Sequence, residues 1–177
     1  MSSFGWFGKG GHWIPVRDGD ARLRALYERH YSCRKRRGGH RFLKTAGPGE
    51  YMALLAADAR AAFVWRKYID RSGQTGVCCA LFRNEGPVLS SELIREACQH
   101  AWRRWPGARL YTYVNPARIK SSNPGYCFLK AGWRRCGRTR GGLVILECLP
   151  GWLAEVSCGG EHGKRGHILG ADGGRDR

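Results

Sequence analysis

The sequence predicts one mixed α/β (α+β) domain, and three observations carry that reading. At 177 residues, with 42% hydrophobic and 25% charged residues, the chain has the length and composition of a single globular domain able to bury a core. From Glu50 onward, short apolar runs of strand length are interleaved with stretches of helical spacing. Gly and Pro punctuate them, at Gly76, Pro106-Gly107, Gly132 and Gly142.

Residues 1–19 are Gly-rich with Trp6, Phe7 and Trp13, and read as an irregular N-terminal arm. Asp20 to Ser32 reads as a helix, with Leu23, Leu26, Tyr27 and His30 at helical spacing behind an Asp near its start. Residues 33–49 are basic and Gly-rich, a loop. Tyr51–Ala56 and Ala61–Tyr68 form a hairpin turning near Asp58, and Gly76–Phe82 is a third strand. Ser91–Trp105 is a helix with Leu93, Ile94, Ala97, Ala101 and Trp105 on one face, stopped by Pro106-Gly107. Arg109–Val114 is a fourth strand. Residues 122–131 form a short helix, and Trp133–Arg138 with Leu143–Leu149 close the domain as a hairpin across Thr139–Gly142. The domain is thus placed at 20–150, its core at 50–149. Residues 151–177 are expected to be a flexible tail.

Thirty-one Lys and Arg oppose fourteen Asp and Glu, a formal charge of +17. Such an excess repels itself in the compact state, which points to a polyanionic partner. No apolar run approaches the roughly 20 residues of a membrane span, and residues 1–12 lack the charged and apolar regions of a secretory signal. A cytoplasmic protein with reduced thiols is expected, and Cys78-Cys79, inside an apolar run, reads as a pair of small hydrophobes. The segment Arg34, Lys35, Arg36, Arg37 and Arg41 is a basic loop of the kind that contacts phosphates. Arg134, Arg135, Arg138 and Arg140 form a second basic cluster. Cys158, His162 and His167, with Cys148 upstream, have metal-ligand types, but no paired Cys-x-x-Cys accompanies them, which disfavours structural zinc.

The most informative segment runs from Val77 to Leu93: an apolar strand, a turn with Gly86, then a helix. A helix N-terminus presents free N–H groups and a positive dipole end, suited to a pyrophosphate. Arg83 and Gly86 resemble the first half of the Arg/Gln-x-x-Gly-x-Gly/Ala loop of the GNAT acyltransferases. There the loop cradles coenzyme A. The sequence departs at Val88, where that family has a small residue, and at Pro87, which removes a donor. Phe128, Lys130, Gly132 and Trp133 resemble the aromatic-x-Lys-x-Gly-aromatic signature of the same family, and Ser121 stands where it often has Asn. The resemblance implies a GNAT-like mixed, mostly antiparallel sheet flanked by helices. It also implies acetyl-CoA or another acyl-CoA as donor, bound by Arg83, Asn84, Gly86, Ser90, Ser91 and Lys130.

A narrower likeness rests on His30-Tyr31-Ser32, Arg83-Asn84-Glu85 with Ser90-Ser91, Tyr111 to Asn115, and Asn123 to Phe128. These are similar to the Mom-like phage DNA-modification proteins, themselves GNAT-like. That likeness implies a transferase adding an acyl-type group to a base amine of double-stranded DNA, adenine N6 in particular, to protect phage DNA from restriction in the host cytoplasm. It implies catalytic roles for His30, Tyr31 and Tyr126, with Asn115 where an Asp is expected, and it links His30 and Tyr31 to iron. His30 is the candidate base, since imidazole titrates near neutrality. Tyr126 is the candidate donor to a leaving thiolate, and Glu85 is either a base or a loop carboxylate. Trp65, Tyr111, Tyr113 and Trp133 are core residues for the most part, though a flipped base would need an aromatic to stack on. Two other readings stay open. One is an acetyl-CoA-dependent N-acetyltransferase acting on a small amine or protein. The other is a non-catalytic DNA-binding protein that kept the fold and lost the cofactor loop.

Overall fold

A computed structural model describes residues 11–33, 44–69, 73–119 and 121–152. The basic loop with Arg34, Lys35, Arg36, Arg37 and Arg41, and the segment with Cys158, His162 and His167, lie outside the described residues. The element order is β1 (Trp13–Val16), α1 (Ala21–Glu28), β2 (Glu50–Ala56), β3 (Ala61–Lys67), β4 (Val77–Asn84), α2 (Ser90–Arg104), β5 (Leu110–Val114), a 3-10 turn at Pro116–Arg118, α3 (Tyr126–Lys130), β6 (Arg134–Arg138) and β7 (Val144–Cys148). These strands form one seven-stranded sheet in the order β1-β2-β3-β4-β5-β7-β6.

Every neighbouring pair is antiparallel except β4 and β5, which are parallel. A parallel pair needs a crossover, and α2 supplies it. β3 explains the sheet's place in the core: Ala61 to Trp65 are buried without alternation, as expected of a strand covered on both faces. One face, with Phe63, Trp65 and Val77, packs on α2 through Leu93, Ile94, Ala97 and Ala101. The other, with Leu55, Ala62, Val64 and Leu81, packs on Leu23 and Leu26 of α1. Burying those chains at roughly 25 cal/mol per Å² drives both layers together.

Several boundaries differ from the sequence reading, each for a local reason. The N-terminal arm is not irregular throughout, since Trp13–Val16 pairs with Ala53–Ala56 as an edge strand. An edge position tolerates Pro15, which cannot donate to a ladder, and Trp13 anchors it through an indole N–H donated to the Leu93 carbonyl at 2.9 Å. The first helix starts as expected, its Asp20 carboxylate accepting the Arg22 and Leu23 N–H groups. It stops at Glu28 rather than Ser32. The Arg29 carbonyl accepts from the Arg83 guanidinium at 2.7 Å, and the Cys33 N–H turns to the His30 carbonyl instead. The third strand runs on to Asn84, and the short helix shrinks to Tyr126–Lys130. Trp152 belongs to the body of the domain rather than to a tail, with the Arg134 guanidinium 4.3 Å from its ring centroid.

Candidate functional site: a wedge between two parallel strands

The parallel pairing of β4 and β5 covers only Val77–Leu110, Cys78–Tyr111 and Cys79–Thr112. Beyond Cys79 and Thr112 both strands continue, to Asn84 and Val114, without pairing to each other. A bulge sharpens this divergence. Val64 pairs with Leu81 and Trp65 with Cys79, so Ala80 is the extra residue on β4. Such a residue leaves the ladder and bends the strand.

A cavity of about 680 Å³ sits at this wedge. Its walls are β4 from Cys78 to Phe82, β5 from Thr112 to Asn115, the end of α1 with His30 and Tyr31, and residues 44–48. The Asp18 carboxylate holds that last segment in place, accepting from the Thr45 N–H at 2.6 Å and its hydroxyl at 2.7 Å. Three cations line the cavity, Lys44, Arg66 and Arg118, and no carboxylate does so among the described residues.

The His30 and Tyr31 rings lie against each other, tilted by 34° with centroids 4.3 Å apart. His30 Nδ1 accepts the Ser32 N–H at 3.3 Å and lies 2.7 Å from the Ser32 hydroxyl. The neutral ring therefore carries its proton on Nε2 and offers a donor. Burial, and then the nearby Arg83 cation, push its pKa down to about 4. Burial raises the Tyr31 phenol above its ordinary value, against an opposing backbone hydrogen bond from Asn115. Asn115 thus contributes its backbone to Tyr31, while its side-chain oxygen caps the 3-10 turn through the Ala117 N–H at 3.0 Å. Cys79 lines the wedge, but burial raises its thiol well above the ordinary range, so it is an inert wall rather than a nucleophile.

The far end of β4 looks different. Arg83 donates to Glu85 and to the Arg29 carbonyl, and Arg29 grips Glu85 with two bonds of 2.9 and 2.8 Å. This network ties α1 to the tip of β4. The turn beyond it is closed on itself. The Glu85 N–H goes to the Arg60 carbonyl, the Gly86 N–H goes to the Asn84 side chain, and Pro87 has none. Asn84 also donates to the Val88 carbonyl and to Ser90. No side chain caps the start of α2 at Leu89, which leaves its first N–H groups as the donors remaining there.

Among solved structures, the chain is similar to the GNAT domain of S. lividans PAT, at 19% identity over 77% of this chain and 89% of that one, with a TM-score of 0.53. The fold is that of a GNAT domain. No protein-family profile matches the chain, and no curated protein does.

On this GNAT fold, the residues expected at the site separate into three groups. His30, Tyr31 and Asn115 meet at the wedge. Arg83, Asn84, Gly86, Ser90 and Ser91 sit at the tip of β4 and the start of α2, away from the cavity wall. Tyr126 is half-exposed at the start of α3 under the Lys130 ammonium, 5.5 Å from its ring, and neither lines the cavity. Trp65, Tyr111 and Trp133 are core, while Tyr113 faces the cavity. Among the described residues, no group of three or more His, Cys, Asp or Glu side chains could hold a metal ion. No helix among the described residues is long and apolar enough to cross a membrane.

The sequence reading missed Arg66, Lys44 and Arg118. Arg66 left a trace: it falls in phase with Ala62 and Val64, which face the core on the same side of β3. A cation at an inward position is a candidate for binding.

Proposed function

We propose that the wedge is the site of acyl transfer from an acyl-CoA-type thioester to an amine, and that the acceptor is a base amine of double-stranded DNA, adenine N6 first. The observation carrying the transfer is the splay of β4 from β5 around a cavity on the GNAT fold. A thioester arm entering there would meet the bulge at Ala80, where the ladder to β3 is broken. In the reaction the amine nitrogen bonds to the acyl carbon, the carbon–sulfur bond breaks, the departing sulfur takes a proton from a phenol, and the proton released by the acylated nitrogen returns to that phenol through water. Tyr31 is the donor this reading assigns to the sulfur, in place of Tyr126, because Tyr31 lines the cavity and Tyr126 does not.

The described lining of the wedge supports this choice of acceptor. A lysine-type amine is protonated up to about pH 10.4 and must be stripped by a base. The cavity has no carboxylate among the described residues, its imidazole titrates at about 4, and cations line it. An aromatic exocyclic amine is already neutral at pH 7 and asks for no such base. The +17 charge favours its presentation on a polyanion, with Arg34, Lys35, Arg36, Arg37 and Arg41 as phosphate contacts.

A second reading, a DNA-binding protein without transfer, is favoured by the closed turn after β4, where Asn84 and Pro87 remove donors from a pyrophosphate cradle. The test is calorimetry with coenzyme A and acetyl-CoA, together with mass measurement of nucleosides from a plasmid co-expressed with wild type, His30→Ala or Tyr31→Phe. A new, heavier nucleoside that disappears in Tyr31→Phe is the expected result. Tight duplex binding with no modified nucleoside and no coenzyme A binding would overturn transfer in favour of the second reading.

A further inference from the structure

Arg66 is the most unusual cation in the described part of the molecule. It is the penultimate residue of β3, in register with Cys78, and its side chain lines the wedge. Its Nε is buried with no hydrogen-bond partner among the described residues. The guanidinium lies over Gly47, where an added Cβ would come within 3.1 Å of Nη1, and 5.7 Å from the Tyr68 ring centroid. Three acids of the neighbouring described elements are engaged elsewhere. Asp18 holds Thr45 and Ala46, Glu50 faces Lys67 and the Trp105 indole, and Glu85 is held by Arg29 and Arg83. A buried guanidinium N–H is costly to leave unpaired, so an exogenous anion is the partner its geometry fits. Lys44 and Arg118, which line the same cavity, add to the attraction.

We propose that Arg66, with Lys44 and Arg118, forms an anion subsite that takes a phosphate group of the acceptor. The inference rests on reading the wedge as the acyl-transfer site, because that reading places the amine beside it. Position along the sheet separates this subsite from a donor's pyrophosphate. Arg66 pairs with Cys78, next to the point where the wedge opens, whereas α2 begins beyond the other end of β4. From Cys78 to Asn84 the strand spans roughly 20 Å, at about 3.3 Å per residue. A phosphate at Arg66 therefore sits at the reacting end of the wedge, which is where an acceptor belongs. The phosphate comes either from a nucleic-acid backbone or from a small phosphorylated molecule.

The test is titration calorimetry without coenzyme A, using inorganic pyrophosphate, adenosine 5′-monophosphate and a 16-base-pair duplex as probes. Wild type is compared with Arg66→Gln, Arg66→Lys, Arg118→Gln and Arg103→Gln. Arg103 is exposed near the end of α2 and loses the same unit of charge. Arg66→Gln is expected to weaken pyrophosphate about ten-fold or more, as for loss of a charge-assisted bond, with a smaller loss for Arg118→Gln and none beyond the net-charge effect for Arg103→Gln. If the same loss extends to the duplex alone, the phosphate comes from nucleic acid; if to the monophosphate alone, from a small molecule. Equal losses for Arg66→Gln and Arg103→Gln overturn the subsite, since net charge would then explain everything. Should Arg66→Gln fail to fold, Arg118→Gln and Arg66→Lys carry the comparison. Coenzyme A titrated separately keeps the two ideas apart. No coenzyme A binding, with Arg66-dependent phosphate binding intact, ends the transfer reading and spares the subsite; coenzyme A binding with no Arg66 dependence does the reverse.

Discussion

The two ends of β4 carry the same kind of side chain in opposite circumstances. At the tip, Arg83 and Arg29 are paired with one carboxylate, Glu85, and the following turn spends its N–H groups on Arg60 and Asn84. At the wedge, Arg66 presents a buried Nε with no partner among the described residues, in a cavity that no acid among those residues lines. The tip is a structural clasp between α1 and the sheet, and the wedge is where a ligand has something left to bind. A cation's place in a motif thus says little about its availability, which depends on what the rest of the fold has already paired with it.

The largest expected effect removes the wall both ends share. Leu81 is buried between α1 and the sheet, so Leu81→Ala should cost about 2–5 kcal/mol in urea unfolding. It should disable clasp and wedge together; a loss below about 1 kcal/mol would mean α1 does not depend on this contact.

Glu85→Gln breaks the clasp alone. Hydrogen bonds from Arg29 and then Arg83 hold the Glu85 carboxyl down at about 2, against 4.5 ordinarily. A depressed acid contributes stability that is present above its unfolded pKa and lost as pH falls through the folded one. The variant should melt a few degrees lower at pH 7, and the gap should close between about pH 4.5 and 2. Melting curves that stay parallel down to pH 2 would show the clasp to be idle.

The clasp and the wedge touch at one point, the field of Arg83 on His30. Burial is the first cause of the low His30 pKa and Arg83 the second, so Arg83→Gln should raise it from about 4 toward 6.5 without reaching it. Histidine ring resonances followed by NMR titration read this directly, and an unmoved pKa would make burial the sole cause. The same depression makes the unfolded chain bind a proton that the folded one refuses. Stability should therefore fall as pH drops from about 6.5 to 4, and His30→Gln should remove that decline.

The smallest effect sharpens the wedge. Gly47 has a φ of +76°, so Gly47→Ala should cost about 1 kcal/mol from backbone strain. The new methyl would also push the Arg66 guanidinium aside, and pyrophosphate affinity should drop less than in Arg66→Gln. An affinity unchanged by Gly47→Ala would mean the guanidinium is free to swing.

Legibility in the sequence followed the strength of local signals. α2 was readable because its buried residues, Leu93, Ile94, Ala97 and Ala101, repeat at helical spacing before a Pro-Gly stop. The β6–β7 hairpin was readable from its turn. β1 was not, because four residues containing a proline become a strand only when β2 offers an edge. His30, Tyr31 and Asn115 come together at the wedge, though the imidazole's tautomer depends on a contact with Ser32 that spacing does not reveal. Arg83 matched a motif, yet its pairing with Glu85 and the Arg29 carbonyl is tertiary information. Arg66 belonged to no motif, and only its phase with Ala62 and Val64 marked it.

The order of strands in the sheet also fixes an order in time. β7 lies between β5 and β6, although β6 precedes it in the chain. A ribosome therefore releases β5, with Leu110, Tyr111 and Val114, well before the strand that will cover its side. Until the closing hairpin arrives as a unit, the nascent domain shows its neighbours a bare apolar edge, the template on which chains join one another. Once docked, that hairpin replaces the edge with β6, whose five residues are all exposed and three of them arginine. The chain's risk of aggregation is thus concentrated in a brief stage of its synthesis, and like charges repel at the edge that remains.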